Sequence, residues 1–154
     1  MKKPQHYQEN AIKTLAKKPK QYVSVDQMES FYPGSLPTLS ARYTDSPETV
    51  STVYVDQATH KTFVYHQAST SASETVMSKV YFERAAHTEG VEIKSYKANN
   101  GACKTKQFMQ HVAHCEQGIK FSGVRDHQKI GIAKRHICTI YNMARSMLIN
   151  AIYK

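Results

Sequence analysis

The residues able to do chemistry gather in one stretch, from Lys97 to Arg135. Lys104, Lys106, Arg125, Lys129, Lys134 and Arg135 bracket the starts of two helical patterns there. A helix begins with its positive end, so such clusters suit phosphate, in contacts that are sequence-independent and salt-sensitive. The bland alternative is a solvated basic face. His111, His114 and Cys115 fall at metal-ligand spacing on one helical pattern, but no second cluster completes four ligands, and a solvated polar face is the expectation. Asp126 and His127 form a polar loop pair ahead of the last helix. Asn99-Asn100-Gly101 follows a strand-like run and has the composition of a turn. No Ser, His and Asp set has motif support. Outside this stretch, Asp26 places a carboxylate within the β-branched run Val23-Ser24-Val25-Asp26-Gln27.

Composition narrows the partners. The chain has 154 residues, enough for one domain with a single core, and a net charge of +9. Its pI near 9.5 favours polyanions, nucleic acid first. Three widely spaced cysteines suggest neither a disulfide framework nor a zinc ribbon. No run is long or apolar enough for a membrane, and Met1-Lys2-Lys3 is followed by polar residues rather than a signal sequence. An intracellular location, nuclear or cytoplasmic, is expected.

The elements that must position these residues alternate in a mixed α/β order. Residues 1–20 are rich in Lys, Gln and Asn and read as a basic flexible arm before a domain over 21–154. Tyr22 to Met28 is the first strand; residues 31–48, with Pro33-Gly34, Pro37 and Ser46-Pro47, form an irregular connection. Val50 to Asp56 and Lys61 to His66 form a hairpin, with Asp56 as a strand-end residue. Ser71 and Glu74 fit a capping box for a helix that buries Val76, Met77, Val80 and Tyr81, with Gly90 at its end. Val91 to Tyr96 is a fourth strand. Thr105 caps a second helix burying Phe108, Met109, Val112 and Ala113, and Ile119 to Ser122 is a fifth strand. Ile130, Ala133, Ile137, Ile140, Ala144, Met147 and Ala151 form one apolar stripe on a last helix starting near Lys129.

Over roughly Val23 to Ala151 the chain resembles the catalytic core of retrotransposon integrases, above all the Copia type. The resemblance rests on the strand ending before Asn99-Asn100-Gly101 and on Gly131-Ile132-Ala133-Lys134-Arg135 at the helix start. The family has Asp-Asn-Gly and Asn-Gly-x-Ala-Glu-Arg there. Thirty-four residues separate Asn99 from Lys134, within one of the gap in the family's D,D,35,E pattern. Gly101, Gly123, Gly131, Ala133, Arg135 and the run from Ala144 to Leu148 also match; Ile130 and Ala102-Cys103 depart.

The resemblance implies a ribonuclease H-like fold, a mixed five-stranded sheet flanked by helices. The family core continues past a helix like the last one here, so a core lacking its C-terminal part is expected. It also implies DNA as partner and, in the family, two Mg²⁺ ions held by three carboxylates. The aligned positions here are Asp26, Asn99 and Lys134, and Asp26 alone keeps a metal ligand. An amide supplies no charge and an ammonium reverses it, so a divalent ion has no net attraction to offset its dehydration. No metal cofactor is expected in this copy. Lys134 falls one turn from both Ile130 and Ile137, and its ammonium is expected to pair with Asp26. The reading is a catalytically inactive, DNA-binding pseudoenzyme of a transposable element. The alternatives are an active Mg²⁺-dependent nuclease or strand transferase using Glu29 or Asp56 as a further carboxylate, and a module pairing with an intact integrase.

Overall fold

The computed structural model describes residues 21–34, 48–122 and 131–152. The expected arm, most of the connection before residue 48, and the loop with Arg125, Asp126, His127, Lys129 and Ile130 lie outside the described residues. The elements are β1 (Tyr22–Gly34), β2 (Glu48–Asp56), β3 (Thr62–Gln67), α1 (Ala72–Thr88), β4 (Ser95–Ala98), a 3-10 turn (Ala102–Lys104), α2 (Lys106–His114), β5 (Gly118–Phe121) and α3 (Gly131–Ile152).

The five strands form one sheet in the order β3-β2-β1-β4-β5. β1, β2 and β3 form an antiparallel meander, whereas β4 and β5 join parallel to β1 and to each other. Parallel neighbours need crossovers, and the α1 and α2 segments supply them. This is the mixed α/β sheet the sequence predicts. β1 runs on to Gly34, into residues expected to be irregular. The fourth strand also sits later than expected. Val91 N donates to Ala86 O and closes the end of α1, so pairing with β1 begins only at Ser95.

Alternation along the strands sorts side chains onto two faces. Val23, Val25, Tyr54, Tyr96 and Ala98 meet Phe82 and Ala86 of α1 and Phe108 and Val112 of α2 in the main core. Tyr54 stacks on Phe82 with ring centroids 4.4 Å apart. Val53 and Val55 meet Ala133 of α3 on the opposite face, with Ile132, Ile137 and Ile140 beside them.

The helices correct the expected buried faces. Ser71 caps α1 by accepting from Glu74 N, while the Glu74 carboxylate accepts from Ser69 N rather than closing a reciprocal box. Gly90 follows with φ of 71°, a conformation that favours glycine. α1 turns Thr75, Ser78, Lys79, Phe82 and Ala86 inwards. Met77 and Tyr81, expected inside, are 49% and 43% exposed. The sheet offers polar partners that overturn the apolar stripe: Gln27 Nε2 donates to Thr52 and Thr75, and Tyr54 OH bonds Ser78 Oγ at 2.7 Å. α2 buries Phe108 and Val112 as expected but leaves Met109 and Ala113 outside. α3 is covered only as far as Ile140; Ala144, Met147 and Ala151 are exposed. A helix of 22 residues spans roughly 33 Å and outruns the sheet beneath it.

Candidate active site

Asp26 lies mid-strand on the α3 side of β1 and is 5% exposed. β4 pairs with β1 so that Ala98 is level with Val25. The next residue on each strand comes abreast of its counterpart, which places Asn99 beside Asp26. Asn99 Nδ2 donates to Asp26 Oδ1 at 2.7 Å. The same oxygen accepts from Gln27 N at 3.0 Å.

The other end of the Asn99 amide is also fixed, since Oδ1 accepts from Gly101 N at 3.0 Å. A Cβ on Gly101 would lie 3.0 Å from that oxygen, which would have to give by a few tenths of an ångström. Asn100 Nδ2 donates to Ser122 O and ties the turn to the end of β5. Reversing the Asn99 amide would set two oxygens 2.7 Å apart at Asp26 and two nitrogens together at Gly101. The amide is therefore locked with its N–H on the carboxylate. The loop is a turn, as its composition suggests, and it also supplies the partner of Asp26.

Burial raises the Asp26 carboxyl above its ordinary range, while the Gln27 N–H and the Lys134 charge pull it down. Lys134 acts through its field alone. Its side chain is exposed, and Asp26 is bonded instead to Asn99 and the Gln27 backbone. The expected Lys134–Asp26 pair does not form, because the strand register brings a closer donor. Cys103, in the 3-10 turn after Asn99, is buried, and burial with the Asp26 charge pushes its thiol up to about 12.

The alternative carboxylates are elsewhere. Glu29 is an odd number of residues from Asp26 on one strand, hence on the other face, and it is exposed. Asp56 pairs with Val23, about 10 Å along the sheet from Asp26. Its carboxylate accepts from Ala58 N, Thr59 N and Thr59 Oγ1 and holds the β2–β3 turn. That is the strand-end role the sequence predicts.

The geometry thus offers one carboxylate whose Oδ1 carries two donors, next to an amide N–H and an exposed ammonium. This set does not fit a pair of Mg²⁺ ions, which need several anionic oxygens. Around it the surface is basic. Lys104, Lys106, Lys134 and Arg135 are all exposed, at the 3-10 turn, the start of α2 and the first turn of α3. Arg125 and Lys129 lie outside the described residues.

The same arrangement of sheet and helices occurs in solved integrases. The chain is similar to a chain of the simian T-cell lymphotropic virus intasome, solved in complex with the PP2A regulatory subunit B56 gamma, with a TM-score of 0.67 and 12% identity. The match covers 86% of this chain and 42% of that one. The fold is that of an integrase catalytic core. Two HTLV-2 integrase catalytic core domains in complex with magnesium, one trimeric and one dimeric, give TM-scores of 0.61 and 0.60 at 14% identity. Each covers 86% of this chain and 74% of its own. The integrase-like chain therefore spans less than half the length of the intasome chain and about three quarters of the HTLV-2 cores. No family model and no curated protein matches it.

One group was missed as a group from sequence. Glu83 on α1 faces His111 on α2 and Cys115 at its C-cap, with the buried Lys79 contacting both Glu83 and His111. His111 and Cys115 are legible at their helical spacing, but nothing local to them points to Glu83, which comes from a different helix.

Proposed function

We propose that this integrase-like chain is a DNA-binding core of Copia-type retrotransposon origin whose strand-transfer site is dismantled. In this reading residues 1–20 are a basic arm and 21–154 the core. The observation that carries it is the Asn99 amide, locked with its N–H on Asp26 Oδ1 at 2.7 Å. A hydrogen-bond donor stands where the family's second carboxylate would face the cation, and Lys134 adds positive charge where the third would be. When bound in the family, the two Mg²⁺ ions activate the attacking oxygen and stabilise the leaving one. Here Asp26 alone remains to hold them.

DNA binding is supported by the net charge of +9 and the exposed Lys104, Lys106, Lys134 and Arg135 beside the site. Cations in the first turn of α3 oppose the helix dipole, which costs stability but concentrates positive potential for phosphate. No helix among the described residues is long and apolar enough to cross a membrane.

Calorimetry with Mg²⁺ and Mn²⁺ tests the dismantled site. The wild type is expected to show no binding, and Asn99→Asp/Lys134→Glu to bind. Tight Mg²⁺ binding by the wild type would overturn the inactive reading. The exposed Tyr141, Met147 and Leu148 on α3 favour a second reading, a module pairing with an intact integrase. Copurification with such a partner after nuclease treatment supports it.

A further inference from the structure

On the sheet face away from Asp26, α1 and α2 bring together a group of a different kind. Glu83, His111 and Cys115 each offer a donor atom, and all three atoms lie within 4.8 Å of one another. His111 and Cys115 are four residues apart, one turn along α2 and its cap, with Cys115 Sγ 3.8 Å from His111 Nδ1. In a tetrahedral zinc site, bonds of about 2.3 Å to sulfur and 2.0–2.1 Å to nitrogen put those two atoms roughly 3.5 Å apart. The pair therefore needs to close by only a few tenths of an ångström.

A cationic side chain already occupies these surroundings. Lys79 is fully buried, and its Nζ lies 2.9 Å from Glu83 Oε1 and 3.0 Å from His111 Nδ1. Glu83 Oε1 also accepts from Tyr96 OH at 2.7 Å and Gln117 Nε2 at 2.6 Å. Burial would raise the Glu83 carboxyl, but these hydrogen bonds outweigh it and hold the group anionic. Burial and the Lys79 charge lower His111, which keeps the imidazole in the neutral form that binds metals. Gln117 Nε2 donates to Glu83 Oε1 and to Ile93 O, while its Oε1 is a buried acceptor with no hydrogen-bond partner. Gln117 lines the same open cleft as Glu83, His111 and Cys115, a cleft of about 620 Å³ that gives a metal a route in and a position for water.

We propose that Glu83, His111 and Cys115 form a three-ligand site for a zinc-class metal ion, with Lys79 as its built-in competitor. One thiolate, one imidazole and one carboxylate make a donor set that suits Zn²⁺ and not Mg²⁺. Entry of the ion releases the Cys115 proton and one proton of the Lys79 ammonium, because a fully buried ammonium that loses Glu83 and His111 to the ion cannot keep its charge beside it. The fourth position faces the cleft. The site shares no residue with Asp26, Asn99 or Lys134, so it stands or falls apart from the proposed function.

The test is Zn²⁺ calorimetry on the whole chain, with Co²⁺ absorption as the readout of thiolate ligation. One Zn²⁺ per chain is expected, with a sulfur-to-cobalt charge-transfer band. Cys115 is exposed and His111 half-buried; because His111 also contacts the buried Lys79, Cys115→Ser is the variant that decides if His111→Ala fails to fold. Each should weaken Zn²⁺ by at least about tenfold, and the first should abolish the cobalt band. Cys138→Ser, on α3, should change neither. Lys79→Met should tighten binding by removing the competing ammonium; if that variant fails to fold, the two ligand variants decide. Absence of stoichiometric Zn²⁺, a missing cobalt band, or wild-type binding in Cys115→Ser and His111→Ala would overturn the proposal.

Discussion

Asp26 illustrates how neighbours set the behaviour of a buried carboxylate. Asn99 and the Gln27 N–H hold it. It remains a buried acid with a raised pKa, and that has a pH signature. Folding holds its proton more tightly than the unfolded chain does. Asp26 therefore costs stability as pH rises above the ordinary 3.8 and through the raised value, and costs nothing below both. Asp26→Asn keeps an oxygen for both donors and removes the desolvated charge. It should melt roughly 2–4 °C higher than wild type at pH 7, with the gain fading as pH falls towards 3.8. Thermal denaturation across that range checks it; a gain unchanged at low pH, or a loss at pH 7, would show that Asp26 is not strained by burial.

At the scale of elements, α3 is a single helix in two environments. Its first turns rest on β1 and β2 through Ala133, Ile137 and Ile140. Its second half presents Tyr141, Met143, Met147 and Leu148 to solvent, each more than half exposed. Ile137→Ala should cost about 2 kcal/mol, because it removes methyl groups from the packed end. Leu148→Glu should change stability by no more than about 0.5 kcal/mol. Urea denaturation of the two variants separates them, and a large loss for Leu148→Glu would mean that this half is covered in solution. α1 carries the complementary lesson. Its inner face is set by partners on the sheet, Gln27 for Thr75 and Tyr54 for Ser78, so hydrophobic periodicity along the helix points to the wrong side.

Over the whole molecule, the charge is uneven in its consequences. The positive groups that flank the Asn99 turn and the start of α3 are exposed, whereas Lys79 is buried and balanced by Glu83. DNA affinity should therefore be sequence-independent and fall steeply with salt. Each of Lys104→Ala, Lys106→Ala and Arg135→Ala should lower the slope of log K against log salt by about 1. Titration of labelled duplex at several salt concentrations measures it. Slopes that match wild type in all three would remove this surface from the DNA interface.

Much of this was legible in the chain. The run of elements along the chain, the capping roles of Ser71 and Thr105 and the turn at Asp56 follow from local rules: alternation in strands, side-chain oxygens on free N–H groups, and punctuation by glycine and proline. What the sequence left undecided was which groups touch. Lys134 looked like the partner of Asp26 because its helical spacing aimed it inwards, but a parallel strand register put Asn99 closer. Likewise Glu83, Lys79, His111 and Cys115 meet only because two helices pack on one face of a sheet. Local propensity acts along the chain and can be read from it; contacts between distant segments depend on register and helix placement, which the packed core fixes.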